Sequence, residues 1–266
     1  MSKFYKANAD YYDAEYENSP ILQCDVPFFL GHLPRKKLRV LDVACGTGRA
    51  SIPIAQAGHR VVGVDYDQGM LDRAAFKRDS VGLTRKNLDF IKQNALTLKL
   101  PERFDWATIF FNTFLNFTSL EHQDALLRGV HRHLRPRGRL WIDIFQPNLE
   151  ILSKPESRGI DTYMFYVPAF DRTVQRSIDI KRDPSKQNQN ITFHYRWFDG
   201  DGTEQHETSE FDLTFMFPRE LQILLERNGF ELECLYGDYD GSKLNADSPR
   251  MIAIARVAPA RKAAWR

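Results

Sequence analysis

Arg39-Val40-Leu41-Asp42-Val43-Ala44-Cys45-Gly46-Thr47-Gly48-Arg49-Ala50 is the stretch on which the fold of this chain turns. A short apolar run ends in an acid, and a glycine turn then opens into a helix near Ser51. Val61-Val62-Gly63-Val64-Asp65 follows as a second apolar run with an acid at its end. Strand, glycine turn, helix, strand, acid is the layout of a nucleotide-type site at the carboxyl edge of a parallel sheet. The glycines let backbone approach a ligand without side chains in the way and aim amide N–H groups at it.

Outward from that stretch the strand–helix alternation continues. Strands are expected at Val40–Val43, Val61–Asp65, Leu88–Gln93, Phe104–Phe111 and Arg139–Ile144. Helices are expected at Ala50–Ala57, Gln68–Arg78 and Leu120–Leu134, with a turn at Arg135-Pro136-Arg137-Gly138. Helical crossovers between strands imply a parallel sheet covered on both faces. Beyond residue 150 the rhythm changes to strands at Thr173–Arg182, Asn190–Phe198, Thr203–Thr208 and Glu210–Phe217, with Asp199-Gly200-Asp201-Gly202 as a hairpin signal. Pro218 then opens a helix through Arg227, Gly229 stops it, and Phe230–Tyr236 and Met251–Val257 close the sheet. The expected class is α/β: a Rossmann-like, doubly wound, seven-stranded sheet with helices on both faces and an inserted antiparallel β lid. The expected organisation is an N-terminal helical cover (1–33), a ligand-binding domain (34–150 and 217–257), the inserted substrate lid (151–216) and a tail (258–266).

Among 266 residues, 42% are hydrophobic and 27% charged, the ordinary globular range, so the chain can bury a full core. A net charge of +2 excludes nucleic acid and membrane surface as default partners. The basic run from Arg128 to Arg139 straddles a helix end, where cations complement the helix dipole. Cys24, Cys45 and Cys234 are odd in number and lack a C-x-x-C pair, which argues against a disulfide framework and against a metal site. With a polar start at Met1-Ser2-Lys3 and no long apolar run, the reading is cytoplasmic.

Two details narrow the ligand. Dinucleotide binding uses G-x-G-x-x-G, and here the third position is Ser51. Asp42, just before the turn, is poorly placed for a pyrophosphate and suits an ammonium group, whereas Asp65 can accept hydrogen bonds from a ribose diol. An acid closing each of two apolar strands is costly to bury without a partner, which favours ligand contact for both.

Taken together these residues resemble the class I S-adenosylmethionine-dependent methyltransferases. Asp42 to Gly48 is similar to the first motif of that family, with Ala44 in place of its first glycine. Val62-Gly63-Val64-Asp65-Tyr66-Asp67 with Met70 resembles the second, and Phe90 to Ala95 the third. The turn Leu134-Arg135-Pro136-Arg137-Gly138 resembles a further family signature. The resemblance implies S-adenosylmethionine as cofactor and S-adenosylhomocysteine as product. It implies cofactor contacts at Tyr12, Asp42, Ala44, Gly46, Gly48, Asp65, Tyr66, Met70, Asn94, Ala95 and Phe111. Tyr236-Gly237-Asp238 and Asp247-Ser248-Pro249-Arg250 resemble a small-molecule branch that includes amino-sugar N-methyltransferases, which carry a β-rich lid and pair as homodimers.

The expected reaction is in-line transfer of a methyl group to a nitrogen or oxygen of a small molecule, with alignment and water exclusion as the main devices. Catalytic candidates are Asn116, Asp143 and Tyr236, with His194 a weaker one. A histidine base stands near the place of Asn116 in the amino-sugar relatives, and an asparagine cannot take a proton. The competing readings are a non-catalytic S-adenosylmethionine-binding protein and an NAD(P)-dependent oxidoreductase. The missing third glycine and Asp42 weigh against the second.

Overall fold

The computed structural model describes residues 11–16 and 19–259. Two compact units are present: Met1–Asp25 with Pro147–Phe215, and Val26–Gln146 with Met216–Arg266. The expected N-terminal cover is therefore divided, its boundary falling inside a helix, α1 (Pro20–Gly31).

The larger unit is built on β1 (Arg39–Val43), β2 (Arg60–Asp65), β3 (Leu88–Lys92), β4 (Phe104–Ile109) and β5 (Leu134–Phe145). Between them lie α2 (Ser51–Gln56), α3 (Gln68–Ser80) and α4 (Leu120–His133). β1 pairs in parallel with β2 and β4, β2 with β3 and β4 with β5, so the carboxyl ends of these strands share one edge. Val40, Val61, Leu88, Trp106 and Trp141 from the strands pack with Phe29 of α1 and Ile52 and Ile54 of α2 in one apolar cluster. The buried leucines of α4 lie outside that cluster.

Three expectations are corrected here. The Arg135–Gly138 stretch is not a turn before the strand but an irregularity within β5, where pairing shifts from Phe104–Leu134 to Trp106–Arg139 and Arg137 takes φ 64. β4 ends at Ile109 and not Phe111, because Phe111 and Asn112 both turn left-handed, at φ 47 and 60. The closing strand runs the other way from a purely parallel sheet. The last strand pairs antiparallel with both of its neighbours, β5 and the strand that opens at Phe230, giving a mixed seven-stranded sheet.

The second unit is a four-stranded antiparallel sheet of β6 (Glu156–Val167), β7 (Arg172–Asp183), β8 (Asn188–Phe198) and β9 (Glu204–Thr214), entered through a short helix, α5 (Leu149–Leu152). Sequence pattern misses β6, since Gly159 and Asp161 take φ 60 and 50 and its pairing with β7 slips at Ser157 and again at Ile160. The two short strands expected between 203 and 217 are one, β9. Residues 11–16 are helical and lie with this sheet. The Glu15 side chain is fully buried and accepts from Arg176 at 2.5 Å and from the Tyr195 hydroxyl at 3.1 Å. The chain then returns through α6 (Pro218–Arg227), β10 (Phe230–Tyr236) and β11 (Arg250–Val257). Among the described residues no helix is long and apolar enough to cross a membrane.

Gly63, in the middle of β2, shows how little room the strand has beside the glycine turn. A Cβ there would lie 2.7 Å from the Phe90 ring and 2.8 Å from Cys45 Sγ. Gly63→Ala is expected to destabilise the fold by about 1–3 kcal/mol through overpacking, measured by urea unfolding. A neutral result would mean that Phe90 and Cys45 are free to move aside.

Candidate active site

The glycine turn sits between β1 and α2 at the carboxyl edge of the sheet. Ala44, Gly46 and Gly48 all take positive φ, at 54, 55 and 78. Ala44 thus occupies a backbone conformation in which its methyl group costs about 1–2 kcal/mol relative to glycine. The turn is held by Cys45 N–H donating to the Val64 carbonyl at 3.0 Å and by Gly48 N–H donating to the Cys45 carbonyl at 3.0 Å. At Gly46 nothing lies within 4 Å of where a Cβ would be, while at Gly48 that atom would meet the Phe90 ring at 2.8 Å. One glycine therefore faces open space and the other seals the turn against β3. Cys45 is a packing residue: its thiol is buried, and burial pushes its pKa well up.

Asp65 organises the neighbouring loop. Its Oδ2 accepts from Gly46 N–H at 2.9 Å and its Oδ1 from Asp67 N–H at 2.9 Å. Asp67 in turn caps α3, accepting from Met70 N–H at 2.9 Å. Burial raises the Asp65 pKa, against the backbone hydrogen bonds from Asp67 and Gly46 that lower it. Each oxygen keeps acceptor capacity beyond the amide it already holds. Tyr66, 56% exposed, stands beside this carboxylate in sequence, and Met70 is buried in the first turn of α3. At the end of β3, Asn94 is exposed and caps a short turn, accepting from Leu96 N–H at 2.9 Å, with Ala95 half-buried next to it.

Asp42 departs from the expectation of direct ligand contact. It is 2% exposed, with Oδ2 accepting from the Ser51 hydroxyl at 2.6 Å and Oδ1 from the Thr108 hydroxyl at 2.9 Å. Each oxygen thus holds a hydroxyl donor inside the strand–helix layer, and it is burial there that sets Asp42 apart from a ligand. Burial pushes its carboxyl from the ordinary 3.8 up to about 6, against those two hydrogen bonds and the nearby charge of Arg49.

The exit of β4 is built on a buried ion pair. Asp143, fully buried at the end of β5, faces Arg250 at the start of β11, with Nη2 at 2.6 Å and Nε at 2.7 Å from its Oδ1. Its Oδ2 accepts from the Tyr239 hydroxyl at 2.6 Å and from Phe111 N–H at 3.4 Å. Asn112 donates its N–H to the Asp143 carbonyl at 2.8 Å, and its Oδ1 accepts from Phe145 N–H at 2.7 Å and Arg250 at 3.3 Å. The Arg250 guanidinium lies 5.9 Å from the Phe111 ring centre and 5.4 Å from that of Tyr239. These contacts hold Phe111 and Asn112 in their left-handed turn. Asp143, expected to be catalytic, is an anchor: its carboxylate is committed to Arg250, Tyr239 and Phe111. Tyr239 and Arg250 went unassigned in the sequence reading. The signal for them was the fifth-strand acid itself, which requires a cation once buried.

The other expected residues are more dispersed. Asn116 is exposed at the end of the turn Thr113–Asn116 and donates to the Thr113 carbonyl at 3.2 Å. Tyr236 packs against Phe28 and His32, with its hydroxyl 3.3 Å from His32 Nε2. Tyr12 belongs to the second unit, where its ring meets Tyr16 edge-on at 4.8 Å. His194 also lies there, 3.2 Å from His206 and 3.3 Å from Asp179.

Residues 40–138 match the family model of the methyltransferase domain. That match identifies residues 40–138 as a methyltransferase domain, and the mixed seven-stranded sheet is the fold shared with an S-adenosylmethionine-dependent methyltransferase of Clostridium acetobutylicum. Over 229 residues it is 26% identical to a cypemycin N-terminal methyltransferase of a Streptomyces species, covering 86% of this chain and 87% of that protein. The ubiquinone/menaquinone biosynthesis C-methyltransferase UbiE of Pseudoalteromonas translucida is 35% identical over 137 residues, which is 49% of this chain and 51% of that protein. Two solved structures share the fold. The CcbJ methyltransferase of Streptomyces caelestis has TM-score 0.76 at 21% identity, covering 94% of this chain and 98% of that one. The amino pentose methyltransferase CalS10 of Micromonospora echinaspora, solved with S-adenosylmethionine, has TM-score 0.70 at 17% identity, covering 93% and 96%. The residues present fit the cofactor: a left-handed glycine opens onto free space at Gly46, beside a carboxylate with spare acceptor capacity. Neither competing reading gains support.

The raised Asp42 pKa has a consequence for stability. The folded carboxyl keeps its proton to higher pH than the unfolded one. Its contribution is therefore full below about pH 4 and is lost as the pH climbs through about 6, by about 3 kcal/mol in all. Asp42→Asn is expected to remove most of that slope, being more stable than the parent at pH 7 and not at pH 4. Urea unfolding at both pH values checks it, and parallel curves would place the slope elsewhere.

Proposed function

We propose that this enzyme methylates an amine nitrogen of a small molecule, within the broader expectation of a nitrogen or oxygen acceptor. The observation that carries the proposal is the make-up of the β4 exit. The stretch Phe111-Asn112-Thr113-Phe114-Leu115-Asn116-Phe117 contains no side chain that takes up a proton near neutral pH. The nearest acid in the ladder, Asp143, is committed to its ion pair. An amine can lose its proton to water before binding, whereas an alcohol needs a base at the moment of transfer. A site that supplies placement without a base suits the amine.

Bound S-adenosylmethionine supplies an activated methyl group on a positively charged sulfur. The chain's own contributions are then positional. The backbone at Gly46 and Gly48 would receive the amino-acid portion, and Asp65 would accept from the ribose hydroxyls. Tyr66 and Met70 would flank the base, and Asn94 and Ala95 would meet its polar edge. Phe111 and Asn112 would line the methyl end, with Asn116 at the rim orienting the acceptor. Asp42 would support the turn through Ser51 and Thr108. The antiparallel unit is the candidate acceptor lid. Of the named relatives, the cypemycin N-terminal methyltransferase, which matches over most of its length, supports the nitrogen choice, while UbiE, matched over half of its length, is a C-methyltransferase. Three free thiols, at Cys24, Cys45 and Cys234, support a reducing, cytoplasmic setting.

Two measurements test this. Asp65→Ala is expected to weaken S-adenosylhomocysteine binding more than about tenfold by calorimetry, the scale of a hydrogen bond to a charged group. Unchanged affinity would remove Asp65 from the ribose role. Release of S-adenosylhomocysteine is then followed with matched amine and alcohol acceptors, amino sugars and free-N-terminus peptides among them. Turnover with amines alone is expected; turnover with alcohols alone would overturn the nitrogen assignment.

A further inference from the structure

Four arginines are buried among the described residues: Arg78, Arg176, Arg182 and Arg250. Three face a carboxylate, with Arg78 at 2.7 Å from Asp79, Arg176 at 2.5 Å from Glu15 and Arg250 at 2.6 Å from Asp143. Arg182 has no acidic partner among the described residues. Its Nη1 donates to the Lys154 carbonyl at 3.2 Å and to the Ser157 hydroxyl at 3.0 Å, and its Nε is buried with no partner. Taking a guanidinium out of water against neutral oxygens alone is unfavourable, and leaving one of its donors unmet adds to that. The remaining Nε edge is the planar fork that grips a carboxylate or phosphate with two parallel hydrogen bonds.

The register places this cation on a particular face of the antiparallel sheet. Arg182 lies opposite Gln189, Ile180 opposite Ile191 and Ile178 opposite Phe193. Side chains alternate along a strand, so these residues share one face. It is an apolar floor that ends in a buried guanidinium and a buried amide. On the same face Arg176 is already neutralised by Glu15. At the far end of the same face Arg172 lies against the Tyr11, Phe170 and Trp197 rings, whereas Arg182 is the buried cation with neither a carboxylate nor a ring beside it among the described residues.

We propose that Arg182 is an oxyanion-binding group of the antiparallel unit, taking a carboxylate or phosphate. The proposal does not rest on the methyl-transfer reading. The shared ligand chemistry is a planar or tetrahedral oxyanion attached to a partly apolar body.

The test uses the full chain, labelled with nitrogen-15 and loaded with S-adenosylhomocysteine. The Arg182 Nε–H resonance is assigned through its own backbone and followed while sodium phosphate or sodium acetate is added at ionic strength held constant with chloride. A saturable shift is expected with at least one of them. Phosphate alone indicates a phosphoryl-bearing ligand, acetate alone a carboxylate, and both a site open to either. Arg182→Gln should weaken the anion about tenfold or more, Arg182→Lys less, and Arg196→Gln, on the opposite face, not at all. Absence of any shift beyond the chloride control in the unsubstituted protein overturns the proposal. Because the titration needs no methyl transfer, its failure leaves the methyltransferase reading intact, and failure of the amine screen leaves the titration interpretable.

Discussion

The carboxylate of Asp65 ties together the two loops on which the cofactor edge depends. One oxygen fixes the Gly46 amide in a left-handed turn, and the other fixes the Asp67 amide at the mouth of α3. Hydrogen bonds of amides to a charged acceptor contribute about 1.5–3 kcal/mol each, enough to hold a short irregular turn against its own entropy. The consequences run onward through the backbone. Asp67, once placed, caps α3 and seats Met70 in its first turn. Gly48 and Gly63 must then remain glycine because the Phe90 ring fills the space beside both. A change at Asp65 would therefore reach the geometry of both loops together.

At the other end of the edge, the Asp143–Arg250 pair does comparable work by different means. Two consecutive non-glycine residues with positive φ store strain of about 1–3 kcal/mol each. The strain persists because the peptide groups of Phe111 and Asn112 both bond Asp143, while Arg250 and Tyr239 complete the shell of that acid. The pair joins β5 to β11 across 107 positions of sequence. It therefore also explains why the antiparallel closing strand matters to the site: its first residue is the counter-charge.

Much of this was legible in the chain. Apolar runs closed by Asp42, Asp65 and Asp143 marked three strand ends, and Gly46 and Gly48 marked the turn between them. The hairpin at Asp199–Gly202 was equally plain, and it closes with Asp199 N–H donating to the Thr203 carbonyl at 2.9 Å. Direction was not legible, since the burial pattern of β11 is that of any central strand. Nor was β6, whose alternation is interrupted by left-handed Gly159 and Asp161. The acids themselves looked alike. What separates Asp42 from Asp65 is the company each keeps: the hydroxyl of Thr108, 66 positions away, turns Asp42 inward, whereas backbone amides hold Asp65 at the loop. Sequence shows that a buried acid needs a partner and leaves open whether the partner is a ligand or the fold.

That distinction bears on the chemistry. Moving a methyl group from a sulfonium to a neutral nitrogen relocates one positive charge and creates none, so the site has no new charge to stabilise and gains most from alignment. The edge described here has that character. Its acids are committed to hydroxyls, amides and an arginine, and its β4 exit is lined by asparagine, threonine and phenylalanine. A hydroxyl acceptor would require a free base at that exit, and freeing Asp143 for the task would release the strained turn it holds. Anchoring and proton transfer are thus mutually exclusive uses of one carboxylate, and the ion pair with Arg250 commits it to anchoring.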